Sequence, residues 1–450
     1  MYNTNSYLIN SIKGIKNHLE KLPYWAKLNW LWHWGKLISI TGAGQTIVQI
    51  VGFVSGILII RLLPVEEYAF YTLGNTILGT MVILADGGIA TGVTSIYGRV
   101  WETKNEAGRV VISGLELRKK FALLSLLVGI PILFYLLIHH NASWHLAMLM
   151  ILSLIPAFFS SLSSTIYQIP LLFHQEVIPL QKNQLKVNVG RLILLFATVL
   201  IFPWAFVAIL AGGIPQIWGN LNLKKISINY LDWGAQADPE IKKKILVFVK
   251  RILPGSIYYC FSGQITLWLI SIFGSTENIA QLGALGRLAM ILTIIAAVFN
   301  TLAIPGFVKL KNERWNLFVK YSLILMTLML ACVGILLFFT LFQSQALWIL
   351  GDGYSGLEYE LVLFIASSCI ELLVGISFAL NSNRGWLINP YLNIVVGLLS
   401  IVVGVLIFDI SSLRGILYFK LFTAVIAFLY FVGYGFSKIS RIDKVSIIQD

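Results

Sequence analysis

Long apolar runs separated by short polar turns recur along the whole chain. A helix needs about 17–25 mostly apolar residues to cross a bilayer, and twelve runs approach or exceed this length, with the division around Pro203 the least distinct. The predicted spans are Leu37–Ile60, Tyr68–Tyr97, Lys120–Ile138, Trp144–Tyr167, Val187–Phe202, Trp204–Leu221, Ile245–Phe273, Ile279–Pro305, Phe318–Phe342, Leu357–Leu380, Ile388–Phe408 and Leu413–Phe436. Tryptophans lie near many span ends, as in the aromatic belts of membrane proteins. The pattern predicts an all-α polytopic membrane protein.

The composition supports this class and removes a competing one. Of the 450 residues 58% are hydrophobic and only 12% are charged, whereas a soluble protein carries about 25% charged residues. The formal net charge of +13 could indicate binding to nucleic acid. However, 29 of the 33 lysines and arginines fall in the terminal segments and the even-numbered connections. The positive-inside rule therefore places both termini in the cytoplasm, and nucleic acid is not an expected partner.

A basic connection after Leu221 divides the predicted spans into six and six. Because six is even, both halves begin on the same side of the membrane, which implies two parallel pseudo-repeats. Four tryptophans near the N-terminus alternate with lysines, which is typical of a helix in the headgroup layer or of a simple topological anchor. The predicted segments are an interfacial or cytoplasmic segment 1–36, a six-helix bundle 37–222, a cytoplasmic linker 223–244, a second six-helix bundle 245–437 and a cytoplasmic tail 438–450.

Motifs for enzymatic or metal chemistry are absent from the sequence. It has no Walker A motif and no CxxC spacing, and all three cysteines fall inside predicted spans. His139, His140 and His145 cluster in a short external loop and match no metal pattern, so we interpret them as solvated surface. The longest external loop, about 343–356, is short for a membrane-embedded polymerase. We predict no enzyme activity, no cofactor and no metal site.

Among the charged residues within the spans or at their ends, where charge is costly, five are candidates for a functional role. A rise of 1.5 Å per residue places Arg61 at the outer end of the first span and Asp86 roughly 27 Å below the outer face. The same count puts Arg287 roughly 12 Å and Glu371 roughly 21 Å below that face, with Lys420 at a depth similar to that of Arg287. We therefore predict basic groups in the outer half and acidic groups in the inner half.

Charges at these depths must face water or one another. Each lipid-facing charge near the midplane costs roughly 2.5–3.5 kcal/mol, so three would cost on the order of 8–10 kcal/mol, comparable to the stability of a domain. Arg287 can contact an anionic substrate or form a structural salt bridge, and Lys420 can face the interior or snorkel to the interface. Asp86 fits a structural pair with Arg99 as well as a gating role. Glu371 has no evident partner in the sequence, which favours ion coupling.

Two stretches resemble a known family. The first, "RLLPVEEYAFYTLGNTILGTMVILADGGI", is similar to the opening hairpin of Wzx-type polysaccharide flippases, where a turn of the form R-x-L-G-P-x-E-Y-G precedes a helix bearing D-x-G. The second, "LGALGRLAMILTIIAAVFNTLAIPGF", resembles the eighth helix of that family. Two departures lie at the turn, where Pro64 directly follows Leu63 instead of a glycine and Ala69 replaces the usual glycine after Tyr68. Helix number and order agree over nearly the whole chain.

The resemblance implies a member of the multidrug/oligosaccharidyl-lipid/polysaccharide (MOP) exporter superfamily. Such a protein has two six-helix bundles around a central cavity and moves lipid-linked oligosaccharides across the bacterial cytoplasmic membrane by alternating access. The expected substrate is an anionic lipid-diphosphate-linked oligosaccharide, such as an O-antigen, capsule or exopolysaccharide precursor. Arg287, Arg61 and Lys420 are then the expected substrate-binding residues, and Glu371 and Asp86 the expected ion-coupling or gating residues.

The same resemblance leaves the partners and two alternative functions to be tested. A proton or a sodium ion can serve as coupling ion, and the polymerase and glycosyltransferases of the same pathway are expected partners of a monomeric transporter. One alternative is a multidrug exporter of the same superfamily, which would bind cations and should place acidic residues in its outer cavity. The other is a membrane-embedded polysaccharide polymerase, which should have a large external loop.

Overall fold

A computed structural model describes residue 44 and residues 46–386 and 389–442, and this part of the chain forms helices and turns without a strand. The helices are α1 Thr46–Leu62, α2 Val65–Asp86, α3 Ile89–Tyr97, α4 Lys104–His139, α5 Trp144–Phe173, α6 Val177–Val199, α7 Ala205–Ser227, α8 Pro239–Phe273, α9 Thr276–Leu288, α10 Ile291–Val298, α11 Ile304–Val308, α12 Arg314–Leu341, α13 Gln343–Leu350, α14 Glu358–Asn383, α15 Pro390–Ile407 and α16 Leu413–Ser440. A π-helix, Phe299–Ala303, joins α10 to α11, and a 3-10 helix, Asp352–Tyr354, follows α13. The all-α prediction is confirmed for these residues.

Several helices begin where the sequence supplies a side-chain cap. Ser143, Ser275 and Ser412 each accept a hydrogen bond from the backbone N–H three residues on, at the starts of α5, α9 and α16. Asp238 and Asn389 cap α8 and α15, and each of these helices begins with proline. A proline at the first helical position loses no intrahelical hydrogen bond, so local sequence alone sets these starts.

The long helices run between two ends of the molecule, which we name by their turns. The inner end carries most of the lysines and arginines, in its turns and in the adjoining helix ends; its turns follow Tyr97, Phe173, Ser227, Val308 and Asn383. The outer end carries the other turns, which follow Leu62, His139, Val199, Phe273, Leu341 and Ile407. The distribution of basic residues predicts that the inner end faces the cytoplasm.

Nine helical stretches in the described residues are long and apolar enough to cross a membrane, judged by length and composition. The apolar helix α1 is shorter, and α6 and α7 form helices of 23 residues each but do not belong to the nine. The chain is therefore a multi-pass membrane protein. Twelve spans, two six-helix bundles and cytoplasmic termini remain predictions. Segment 1–36 and the residues after 442 lie outside the described part of the chain.

Most predicted spans differ from the observed helices at their ends, and three of the differences affect the positions of candidate residues. Helix α4 begins at Lys104 instead of Lys120, so Arg118 lies within a helix and not in a connection. The second span is broken between α2 and α3 at Gly87 and Gly88, whose φ angles of 47° and 97° suit glycine because it lacks a Cβ. The eighth span divides into α9, α10, the π-helix and α11. Such π-helical turns are frequent at functional sites.

Helix α2 lies at the junction of two groups of helices. In the first group α4 packs against α2, and α7 packs against α5 and α6. In the second group α16 packs against α14 and α15, and α12 packs against α14. Helix α2 also contacts α8 and α9, and α3 contacts α8. Buried side chains such as Tyr71, Met81 and Phe158 fill the first group, and Tyr321 and Phe419 lie in the second.

Candidate substrate cavity

A cavity of about 400 Å³ lies between α2, α8, α9, α14 and α16. Arg287, Glu371 and Lys420 line this central cavity, whereas Arg61 and Asp86 do not. Much of the remaining wall is polar and comes from α2 and α8, namely Tyr68, Thr72, Asn75, Thr76, Ser262, Gln264 and Thr266. Charges within a membrane that meet at one polar cavity are typical of a solute pathway.

Arg287 lies on α9 with its guanidinium group at the cavity wall. The phenol groups of Tyr68 and Tyr71 on α2 are its electrostatic neighbours, and its Nη1 lies 4.0 Å from the sulfur of Met290. A Cβ added at Gly56 would lie 3.0 Å from Cδ of Arg287, so the glycine of α1 leaves room for this side chain. No carboxylate in the described part of the chain lies within salt-bridge distance of Arg287. Its charge is available to a ligand in the cavity.

Glu371 and Lys420 form a salt bridge between α14 and α16. Nζ of Lys420 lies 3.1 Å from Oε2 of Glu371 and 3.0 Å from Oγ of Ser368, and it lies 4.0 Å from the centroid of the Phe364 ring. The lysine side chain is 11% exposed and the glutamate side chain 50% exposed. The prediction that Glu371 has no partner is therefore wrong, and Lys420 reaches into the interior instead of an interface.

The same pair corrects the predicted separation of basic and acidic groups by depth. Nearer the outer end, Nε of Arg414 lies 2.6 Å from Oε1 of Glu360 on the same two helices. Glu371 lies eleven residues further along α14 than Glu360, and Lys420 lies six residues further along α16 than Arg414. The backbone of Glu371 is therefore about 7.5 Å further from the outer end than that of Lys420. The long side chains of Lys420 and Glu371 bridge this offset, which a count of backbone rises does not include.

Asp86 lies at the break between α2 and α3 and holds neighbouring helices together. Its Oδ1 accepts a hydrogen bond of 3.1 Å from the backbone N–H of Ala90 and forms an ion pair with Arg118 of α4. Arg118 is 2% exposed and also donates a hydrogen bond of 2.6 Å from Nη1 to Oγ1 of Thr165 on α5. The predicted partner Arg99 is wrong, because α4 extends far enough inward to bring Arg118 to the level of the break.

Arg61 lies at the outer end, away from the central cavity. Its Nε donates a hydrogen bond of 2.9 Å to the carbonyl of Ile349, and its guanidinium group also bonds to the carbonyl of Trp348. The same group lies 4.9 Å from the centroid of the Trp348 ring. A separate cavity of about 440 Å³ adjoins it, lined also by Gly351 and Asp352. The structure therefore does not bring Arg61 together with Arg287.

His140 is buried, so the prediction that the external histidines are solvated is wrong for this residue. It is 6% exposed, with Nε2 at 2.8 Å from the carbonyl oxygen of Ser271 and Nδ1 at 3.1 Å from Oγ1 of Thr276. The carbonyl of Ser271 requires an N–H donor at Nε2, so in the neutral ring Nδ1 accepts a hydrogen bond from the Thr276 hydroxyl. Burial lowers the pKa of His140 and keeps the ring neutral at pH 7.

These contacts join segments that are distant in the sequence at the outer end. Arg61 ties α1 to α13, and His140 ties the end of α4 to the turn between α8 and α9. The Tyr68 ring also lies edge-on to the Tyr354 ring, with a centroid separation of 6.4 Å. No single one of these contacts follows from the sequence pattern, because each joins segments far apart in the chain.

Sequence reasoning missed the polar face of α2. Thr72, Asn75 and Thr76 recur at three- to four-residue spacing and all line the central cavity. That spacing was a detectable signal, but these side chains are uncharged and stand within an apolar run. Arg191, which belongs to the predicted span Val187–Phe202, lies within α6 with Nη2 at 3.4 Å from the Tyr71 hydroxyl.

No family model and no curated protein matches this sequence. Several solved structures are similar to it. An inward-facing conformation of a multidrug resistance MATE family transporter of the MOP superfamily gives a TM-score of 0.70 at 16% identity, over 89% of this chain and 96% of that chain. An outward-facing conformation of such a transporter gives a TM-score of 0.60 at 16% identity, over 91% and 95%.

A third similar structure is a MOP superfamily transporter from Pyrococcus furiosus, in which a binding pocket of reverse polarity suggests a different function. Its TM-score is 0.60 at 15% identity, over 90% of this chain and 94% of that chain. Identities this low establish the fold and leave the substrate open. This chain has the fold of the MATE transporters of the MOP superfamily.

Proposed function

We propose that this protein is a flippase for an anionic lipid-linked oligosaccharide or polysaccharide precursor, which it moves from the cytoplasmic to the outer leaflet by alternating access. The charge of the central cavity carries the proposal. Its described lining holds Arg287 and Lys420 against one carboxylate, Glu371, and that carboxylate is paired with Lys420. Arg287 thus supplies an uncompensated positive charge and a fork of N–H donors that matches phosphate oxygens.

The multidrug alternative would require a carboxylate that is free to receive a cation. In the described residues, Glu67 accepts a hydrogen bond of 2.7 Å from the backbone N–H of Ala205, and Asp86 is paired with Arg118. The fold accommodates both functions, and the P. furiosus relative in fold is described with reversed pocket polarity. The cavity charge therefore favours an anionic substrate over a cationic drug.

The membrane potential favours outward movement of such a substrate. Moving one charge through 100 mV is worth roughly 2.3 kcal/mol, so a diphosphate with about two charges gains roughly 4–5 kcal/mol when it leaves an inside-negative cell. A bacterial cytoplasmic membrane supplies this potential. A proton or sodium ion that acts at Glu371 can then assist the return step without being required. Glycosyltransferases would supply the substrate and a polymerase would consume it. The central cavity is formed within one chain, so a monomer is sufficient for transport.

Reconstituted protein is expected to move a fluorescent lipid-diphosphate-linked oligosaccharide between leaflets, and to leave a cationic dye on its original side. The reason is the net positive charge that the cavity presents to its ligand. Leaflet position can be read with a membrane-impermeant quencher, and glycan length can be followed on a gel in the same samples. Transport of the dye without the saccharide would instead support the multidrug exporter, and glycan elongation would support the polymerase.

Glu371→Gln is expected to slow turnover about tenfold, which corresponds to roughly 1.4 kcal/mol in the barrier, while headgroup binding is retained. The substitution frees Lys420 and removes the carboxylate that a coupling ion would neutralise. Initial rates are measured in vesicles with and without proton or sodium gradients. The matched control is Glu360→Gln, which removes a carboxylate from the same helix pair outside the cavity. If transport is insensitive to both the gradient and Glu371→Gln, the residue is structural and couples no ion.

A further inference from the structure

A second cavity, of about 610 Å³, lies towards the inner end between α8, α14 and the start of α15. We name it the inner vestibule. Its lining includes the basic side chains of Lys250 and Arg251 and the rings of Tyr258, Tyr259 and Phe378. None of these residues lines the central cavity. The vestibule is therefore a distinct space with its own chemistry.

Lys250 and Arg251 give the vestibule two positive charges without a counter-charge. Both residues are exposed, and no carboxylate in the described residues lies within salt-bridge distance of either. No acidic side chain belongs to the described lining of the vestibule. Basic residues near helix ends commonly orient a membrane protein, but that role requires no cavity between three helices. The charge of this space is complementary to an anion.

The aromatic wall of the vestibule fits a sugar. The ring centroids of Tyr258 and Tyr259 lie 5.6 Å apart, and those of Tyr259 and Phe378 lie 6.1 Å apart. Asn393 donates a hydrogen bond of 3.3 Å from Nδ2 to the Tyr259 hydroxyl. The C–H faces of a sugar pack on aromatic rings, while its hydroxyls need polar partners such as these phenol and amide groups. Together with the two cations, this wall suits a saccharide joined to a phosphate.

A smaller cavity of about 250 Å³ lies along α8 between the vestibule and the central cavity and shares lining residues with both. It shares Tyr258, Tyr259 and Asn393 with the vestibule, and Gly263 and Glu371 with the central cavity. A Cβ added at Gly263 would meet nothing within 4 Å, so this part of the path is open. Glu371 is the one carboxylate in the described lining of the three cavities. Basic side chains therefore lie at both ends of this row of cavities, in the inner vestibule and in the central cavity.

Helix α15 forms a thin wall between this path and the lipid. Only Ser400 and Gly404 of its residues are buried. It approaches α8 closely at one point, where a Cβ added at Gly397 would overlap the Tyr258 hydroxyl. A sparsely packed helix at the edge of a polar path allows a lipid chain to stay in the bilayer while its head group moves inside the protein.

We propose that the inner vestibule is the first binding site for the sugar-phosphate part of the substrate. The head group binds at Lys250 and Arg251, passes along α8 and reaches Arg287 and Lys420, while its lipid chain stays in the bilayer beside α15. This inference rests on the proposed function, because it takes an anionic lipid-linked saccharide as the substrate. The one carboxylate on the way is neutralised by Lys420 in this conformation.

The test measures initial translocation rates of a lipid-diphosphate-linked disaccharide at rising concentration in phosphatidylcholine vesicles. The variant Lys250→Gln/Arg251→Gln is expected to raise the half-saturating concentration about tenfold and to keep the saturating rate. The matched control Lys309→Gln/Lys311→Gln removes two charges at the same end outside the cavities and should match wild type. Gly255→Trp should lower the rate at all concentrations, because an added Cβ there meets nothing within 4 Å and the indole fills the vestibule.

The outcomes separate this inference from the function on which it rests. If wild type moves the disaccharide but the charge variant matches its control, or Gly255→Trp transports normally, the vestibule is not on the path and the flippase proposal stands. If wild type moves no disaccharide, the proposed function fails first. If the Lys250→Gln/Arg251→Gln variant shows a transport defect only after phosphatidylglycerol is added to the vesicles, the two side chains bind anionic lipid of the bilayer and not the substrate. That result would overturn the inference. Membrane abundance and a single size-exclusion peak establish that each variant is folded.

Discussion

Replacement of Arg287 by alanine is expected to abolish transport of the anionic lipid-linked saccharide while the protein remains abundant in the membrane. A bidentate guanidinium–phosphate contact provides two charge-assisted hydrogen bonds of about 1.5–3 kcal/mol each. Their loss would slow transport by roughly 10²-fold or more if they act in the rate-limiting state. Because no described carboxylate pairs with Arg287, alanine leaves no stranded charge and folding should be preserved.

The conservative and reversed-charge variants separate the two contributions of this side chain. Arg287→Lys keeps the charge but loses the planar fork, so it should retain partial transport, whereas Arg287→Glu adds repulsion and should retain none. Arg99→Ala, which removes an exposed arginine at the inner end, serves as the control and should transport normally. Transport in vesicles is read beside membrane abundance for each variant. Full activity of Arg287→Ala would show that this arginine does not handle an anionic head group.

Asp86→Ala is expected to destabilise the protein by about 3–5 kcal/mol, because it leaves the buried guanidinium group of Arg118 without its counter-charge. Arg118 would keep its hydrogen bonds to α5, including that to Thr165, but these bonds do not neutralise the positive charge of its guanidinium group. The break between α2 and α3 would also lose the Asp86 bond to the Ala90 backbone. Thermal stability in detergent, followed by size-exclusion chromatography, and abundance in the membrane measure this effect.

Two further variants show whether breaking the Asp86–Arg118 ion pair causes the loss of stability. Asp86→Leu/Arg118→Met removes both charges and should recover much of the stability, since apolar replacements of a buried ion pair are often tolerated. Lys243→Ala breaks an exposed pair with Glu240 and should leave stability unchanged. A wild-type melting curve for Asp86→Ala would refute the structural role of the pair. Normal transport per folded molecule in Asp86→Ala would argue against a gating role.

The sequence alone was sufficient to identify the membrane class and the all-helical composition of the described residues. Apolar runs of spanning length and a low charged fraction leave no other environment for this chain. Caps such as Ser143, Ser275 and Ser412 act through neighbouring backbone groups, so their positions can be read locally. The same holds for the choice of Arg287, Glu371 and Lys420 as site candidates, because the cost of a charge in lipid depends on its position within a span.

The tertiary structure alone decided which of these charges meet. Glu371 and Lys420 are 49 residues apart, and Asp86 and Arg118 are 32 apart, so no helical periodicity connects them. Their contacts depend on the offset of neighbouring helices and on the reach of long side chains, neither of which a count along one helix contains. Arg61 shows the same limit, since it lies at the outer end as expected yet contacts α13 and does not line the central cavity.

The polar path through the molecule was likewise hidden until the helices were packed. Thr72, Asn75 and Thr76 on α2 and the rings of Tyr258 and Tyr259 on α8 are common in membrane helices, and each alone indicates nothing. The first three become a wall of the central cavity only because α2 meets α8, and the two rings become a wall of the inner vestibule only because α8 meets α15. The sequence determined which side chains each helix carries, and packing determined which helix faces contact one another. The reason is that a helix fixes the spacing of its own side chains but does not fix which helices pack against it.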